Sequence, residues 1–176
     1  MKVVNFFGGP GVGKSTLAAG LFYKMKSSGE AVEIVTEYAK DVTWEGRTNL
    51  LGDQIYLLAK QNRRLARLLD HPVDYAITDS PLLLCAAYAR INGADSLYAS
   101  LCPLILEVFN SYDNINLMIE REPAYYAQLG RSQTLDQATN VDIVVIDLLV
   151  ELGIPYQTIK AGKNDAADVL YNMVKL

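Results

Sequence analysis

The run Gly8-Gly9-Pro10-Gly11-Val12-Gly13-Lys14-Ser15 has the residue types and spacing of a loop that holds phosphate. Glycines let successive backbone N–H groups turn inward around anionic oxygens, where a Cβ would block the approach. A helix opening at Lys14 would point its positive dipole end at the same anion. Lys14 adds a point charge for the β- and γ-phosphates, and the Ser15 hydroxyl is placed to ligate Mg²⁺. Gly8 to Thr16 are therefore the expected binding residues for a nucleoside triphosphate such as ATP.

Further candidates stand at the ends of apolar stretches. Asp79 closes Tyr75–Thr78 and is expected to hold Mg²⁺ together with Ser15. Glu37 follows Val32–Thr36, where a carboxylate can orient an acceptor hydroxyl and take its proton. Asp41, four residues on, is the alternative carboxylate if the turn is helical. Arg121 and Arg131 bracket a polar segment with Tyr125 and Tyr126, suited to closing over a triphosphate and neutralising charge. Arg121 is also placed to stack on an adenine. Gln54, Gln61 and Arg64 form a polar stripe that could read an acceptor base, with Arg63 and Arg67 beside it.

The elements that must position these residues alternate regularly. Val3–Phe7, Val32–Thr36, Tyr75–Asp79, Ile115–Ile119 and Tyr156–Ile159 read as buried strands. Leu17, Ala18, Leu21, Phe22 and Met25 mark the helix after the loop, ended by Ser27-Ser28-Gly29. One long helix is expected from about Leu50 to Leu69, with Leu51, Ile55, Leu58, Leu65 and Leu69 as its apolar face and the glutamine stripe opposite. Helical pieces follow at Leu82–Arg90 and Ser96–Asn110, with Gly93 and Pro103 as breaks or kinks. Thr134 with Gln137 reads as a capping box for a helix to Leu152, and Asn164 or Asp165 caps a closing helix. The expected fold is α/β: a P-loop NTPase three-layer sandwich, with a five-stranded parallel sheet covered by helices on both faces. In such a sheet the ligand site lies beyond the strand C-termini. That selects Gly8–Ser15, Glu37–Asp41, Asp79–Pro81, Glu120–Arg131 and Ala161–Lys163 as the rim.

Composition sets the bounds. A chain of 176 residues, 51% hydrophobic and 20% charged, suits one domain over 1–176, with a lid at about 121–133. No apolar run reaches the ~18 residues of a bilayer span, no secretory signal is expected, and the cytoplasm is the expected compartment. Cys85 and Cys102 lie among apolar residues and read as reduced core cysteines. With His71 as the one histidine, a zinc site is not expected. A net charge of −4 argues against a chain-wide nucleic-acid footprint, though not against a local basic groove.

The loop, Glu37 with Trp44 following, the Asp79 strand end and the lid arginines together resemble the thymidylate kinase and deoxynucleoside kinase group. The chain as a whole is most similar to small bacteriophage P-loop kinases. The likeness is carried by Thr36-Glu37-Tyr38-Ala39-Lys40, Thr78-Asp79-Ser80-Pro81-Leu82 and Gly130-Arg131, and a related phage enzyme phosphorylates hydroxymethyluracil in DNA. The resemblance implies transfer of the γ-phosphoryl of ATP, with Mg²⁺, to a hydroxyl of a nucleoside- or nucleotide-like acceptor. Lys14, Glu37, Arg121 and Arg131 would be catalytic. A hydroxymethyl-pyrimidine in phage DNA is the leading specific acceptor, reached in the host cytoplasm if the chain is phage-encoded; a deoxynucleoside or its monophosphate is the alternative. One departure bears on this. Those kinases usually follow the third-strand acid with arginine, and here Ser80 stands instead. An NTPase switch or motor subunit is the competing class, and the oligomeric state is open, a homodimer included.

Overall fold

The computed structural model describes residues 1–93, 95–123, 126, 133–160 and 166–175. Five strands, β1 (Lys2–Phe7), β2 (Val32–Val35), β3 (Tyr75–Thr78), β4 (Asp113–Glu120) and β5 (Gln157–Lys160), form one sheet in the order β2-β3-β1-β4-β5. Every pairing is parallel, with Val4 opposite Ile77 on one side and Ile115 on the other. Parallel neighbours need crossovers, and α1 (Lys14–Ser27), α2 (Tyr38–Trp44), α3 (Gln54–Ala66), α4 (Leu83–Ile91), α5 (Asp95–Asn110), α6 (Leu135–Glu151) and α7 (Ala166–Lys175) lie between or after the strands.

The strand period of two sorts side chains onto two cores. Val4 and Phe6 of β1, with Ile77, Leu117 and Ile119, pack under α1 and α7 through Leu17, Leu21, Met25 and Leu170. Val3 and Phe7 face the other way, against α3 to α6 through Leu58, Leu83, Ile105, Val145 and Leu149. Asn5 shares that second face. Its amide donates to Asn114 Oδ1 at 2.9 Å and Asn116 Oδ1 at 3.1 Å, so a polar strand residue is buried without loss. Cys85 and Cys102 are free and buried, as expected, and burial pushes the Cys85 thiol up to about 12.

Several local expectations are met. Thr134 and Gln137 form the capping box at the start of α6, and Gly93 ends α4 with φ 68°. Pro103 interrupts nothing, since α5 runs unbroken from Asp95 to Asn110 around it. The acidic turn after β2 is helical, and Glu37 is the N-cap position of α2.

The main departure is the helix expected from Leu50 to Leu69. Thr48–Gly52 is instead a 3₁₀ turn, and α3 starts at Gln54. Asp53 sets that start, because its Oδ1 accepts the Tyr56 N–H at 3.0 Å. The later start comes with a different buried face. Leu57, Leu58 and Leu65 are buried together with Gln54 and Gln61, while Ile55 and Leu69 are exposed. The glutamines thus lie on the core side and not opposite it. Asp53→Ala removes the cap and should cost about 1 kcal/mol, a fall in melting temperature readable by calorimetry.

Candidate functional site

The loop between β1 and α1 passes through Gly13 at φ 102°, a left-handed turn that glycine makes without strain. Lys14 folds back over the loop, and its Nζ donates to the carbonyls of Gly8 at 2.8 Å and Gly9 at 2.9 Å. Burial pulls the Lys14 ammonium below its ordinary range, and the charges of Glu37, Asp79 and Asp142 oppose that pull. Ser15 and Thr16 are exposed in the first turn of α1.

Asp79 follows β3 and is 5% exposed. Its Oδ2 accepts the Ser15 hydroxyl at 2.5 Å, while Oδ1 is buried with no hydrogen-bond partner among the described residues. An unpartnered buried carboxylate oxygen is costly unless something else ligates it. A hard oxygen beside a serine hydroxyl on a phosphate loop suits Mg²⁺, which takes few protein ligands and keeps waters and phosphate oxygens. The donor set expected from the sequence therefore fits that ion.

Glu37 sits where β2 gives way to α2 and makes no capping bond with its own side chain. Burial raises its pKa above the ordinary value, Asp79 and Asp41 add to this, and Lys14 and Lys40 oppose it. Glu37, Lys14 and Asp79 thus act on one another electrostatically, which brings together three residues predicted for one site.

Arg121 takes a different place from the one expected. Its side chain is 7% exposed and pairs with Asp142 of α6, Nε to Oδ2 at 2.5 Å. One terminal nitrogen donates to Asp142 Oδ1 at 3.2 Å and to the Pro10 carbonyl at 2.9 Å. Asp142 Oδ1 also accepts the Gly9 N–H at 2.5 Å. Arg121 thus braces the loop against α6 through Nε and one terminal nitrogen, while its other terminal nitrogen is buried with no hydrogen-bond partner among the described residues. Arg131, Tyr125 and Ala161–Lys163 lie outside the described residues. Asp142 was not among the predicted residues, although an acid on the Ala138, Val141, Val145 and Leu149 face of α6 is a readable sign.

The acceptor-side candidates are also reassigned. Gln54 donates to the Leu51 carbonyl at 2.9 Å, and Gln61 and Arg64 bond to the backbone around Glu37. Arg64 also pairs with Asp41. An open groove of about 1060 Å³ runs instead between the 3₁₀ turn, the end of α4 and the start of α6. Leu51, Tyr88, Asn92, Gln137, Asn140 and Val141 are among its walls. Val141 is a direct neighbour of Gly9, so the groove adjoins the loop.

A family model described as AAA domain matches residues 3–166. The chain belongs to that family. Among solved structures, NadR protein in complex with NAD and AMP-PNP aligns with a TM-score of 0.71 at 18% identity, over 98% of this chain. The chain spans 48% of that NadR chain. Deoxyadenosine kinase from M. mycoides with bound dATP aligns over 100% of both chains, with a TM-score of 0.67 at 17% identity. The same enzyme with bound dCTP gives 0.66 at 17% identity over 99% of each chain. Likeness at this level establishes the P-loop kinase fold. No curated protein matches the sequence. Among the described residues no helix is long and apolar enough to cross a membrane.

Two outcomes follow from the electrostatics. Asp142→Ala leaves Arg121 buried and unpaired, which should cost about 3–5 kcal/mol in a denaturant titration. Asp142→Asn, which keeps an acceptor for Gly9, should cost less. For Glu37, the folded state holds the proton more tightly than the unfolded chain does. Stability should therefore fall as pH rises from the ordinary 4.5 through the raised folded value. Glu37→Gln has no such slope, so its stability relative to wild type should climb with pH across that window.

Proposed function

We propose that the chain is an ATP-dependent kinase that moves the γ-phosphoryl group to a hydroxyl of a nucleoside seated in the groove beside Tyr88. The observation that carries this reading is the meeting of Lys14, the Ser15–Asp79 pair and Glu37 beyond the strand ends, next to that groove. The loop N–H groups and Lys14 hold the phosphates. Ser15 and Asp79 would hold Mg²⁺, which supplies neutralisation of charge on the β- and γ-oxygens. Glu37 orients the acceptor hydroxyl and takes its proton as the oxygen bonds to the γ-phosphorus and the bond to the ADP oxygen breaks. Arg131 remains the candidate for closing over the transferred group, and Arg121 keeps the loop in shape.

The choice of acceptor rests on the walls. The described lining of the groove combines apolar Leu51, Ile91 and Val141 with Tyr88 and the amides Asn92, Gln137 and Asn140; its one charged member is Asp136. Such a surface suits a neutral planar base and a sugar better than a second phosphate. Ser80 in place of the usual arginine points the same way. A hydroxymethyl-pyrimidine in DNA drew its support from the family likeness and from the Arg63, Arg64 and Arg67 edge beside Gln54 and Gln61. Gln54, Gln61 and Arg64 bond instead to Leu51, Thr36, Tyr38 and Asp41, which leaves Arg63 and Arg67 exposed without the base-reading amides beside them. The free nucleoside is therefore the favoured acceptor.

Labelled ATP and Mg²⁺ should be incubated in parallel with nucleosides, their monophosphates, hydroxymethyluracil DNA and no acceptor. Label is expected on a nucleoside. Lys14→Ala should lower that transfer by about 10² or more while the melting curve is retained. Label appearing only as inorganic phosphate would favour an NTPase switch, a reading in keeping with the family's description as an AAA domain. Label on modified DNA alone would restore the polymer as substrate.

A further inference from the structure

The strand exit that carries Glu37 poses a local problem. β2 ends at Val35, and the chain then turns into α2 with Glu37 at the N-cap position, φ −64° and ψ 123°. An N-cap side chain ordinarily bonds the free N–H groups of the first turn. The Glu37 carboxylate does not, so neither its side chain nor the sheet ladder fixes the backbone there.

Gln61 of α3 takes up that role. It is 4% exposed, and both ends of its carboxamide bond to the turn. Oε1 accepts the Tyr38 N–H at 2.9 Å, and Nε2 donates to the Thr36 carbonyl at 3.3 Å. Those groups belong to the two peptide units on either side of the Glu37 Cα, so one planar amide grips both. Nε2 also reaches Thr78 Oγ1 at 3.5 Å, next to Asp79. Arg64, one turn on, reinforces the grip: it donates to the Thr36 carbonyl at 3.0 Å and the Thr36 hydroxyl at 3.1 Å, and pairs with Asp41. Its guanidinium lies 5.0 Å from the Tyr38 ring centre.

We propose that Gln61, supported by Arg64, is a positioning residue: it clamps the peptide groups flanking Glu37 and so leaves the Glu37 carboxylate free to face the acceptor. The role in transfer rests on reading Glu37 as the acceptor-side carboxylate; the clamp itself does not. A buried amide that merely filled the core would make the same contacts without its loss being felt through Glu37, and this separates the two cases.

Gln61→Met keeps the length of the side chain and removes both hydrogen-bonding ends. Transfer to the nucleoside should fall roughly 10- to 100-fold with ATP affinity unchanged, because a small misplacement of a reacting group has that scale of effect. In the Glu37→Gln background the same change should cost little further, since Gln61 acts through Glu37. Leu57→Ala, on the same buried face but away from the turn, should lower stability and leave transfer near wild type. Amide exchange at Tyr38 should quicken in Gln61→Met, a readout that needs no turnover. If Gln61→Met does not fold, Arg64→Met carries the same measurements on the outer arm of the clamp. Losses that multiply in the double variant, or unchanged Tyr38 exchange, would overturn the proposal. A Glu37→Gln enzyme with full activity would overturn the reading of Glu37 instead, and Tyr38 exchange would then decide the clamp alone.

Discussion

A loop that binds phosphate must point its N–H groups inward, so its outer side has to be held by something else. Here that support is the buried Arg121–Asp142 pair. Asp142 accepts the Gly9 N–H, and Arg121 reaches the Pro10 carbonyl, which ties the loop to α6 on one side and to the end of β4 on the other. The contact is also sterically close. A Cβ on Gly9 would stand 2.5 Å from the Ala138 carbonyl, so only glycine lets α6 come this near. A buried ion pair is weak evidence for net stability, because desolvation offsets its attraction. Its value lies in geometry: two charges cancel where a lone carboxylate would repel phosphate, and the loop keeps one shape.

The same logic governs the turn after β2. As the proposed acceptor-side carboxylate, Glu37 would need a rigid backbone and an unengaged carboxylate, and these demands conflict if the residue caps its own helix. The conflict is resolved from α3, whose buried face carries Gln54 and Gln61 among Leu57, Leu58 and Leu65. Amides on the core side of a helix are satisfied by backbone groups that lack ladder partners, and the strand exit at Thr36–Tyr38 supplies them.

Local signals made much of this legible. The glycine and lysine spacing of the loop, the five apolar strands and the Thr134–Gln137 box each depend on near neighbours in the chain, and each is found where the sequence placed it. The phase of α3 was not legible from apolar residues alone, since counting Gln54 and Gln61 as surface turned the helix the wrong way. Asp53 carried the correcting signal, a capping residue ahead of Gln54. Arg121 was misplaced for a different reason. Its partner, Asp142, is distant in sequence, and pairing across such a gap has no local signature. Even so, an acid on an apolar helical face is rare enough to mark α6 as packing against something charged.

Charge pairing also bears on what the site can hold. Arg121 is paired with Asp142 and Arg64 with Asp41, while Arg63 of α3 and Arg67 just after it are exposed. Among the described residues of the loop and its rim, Lys14 is the cation bonded to neutral carbonyls rather than to an acid. Glu37 and Asp79 oppose the loss of charge on Lys14 from beside the loop. Among these described groups the positive charge stands at the loop, where a triphosphate would balance it. For the acceptor proposed above, an uncharged nucleoside avoids bringing a second anion against these carboxylates, with the hydroxyl proton as the charge that Glu37 would have to move.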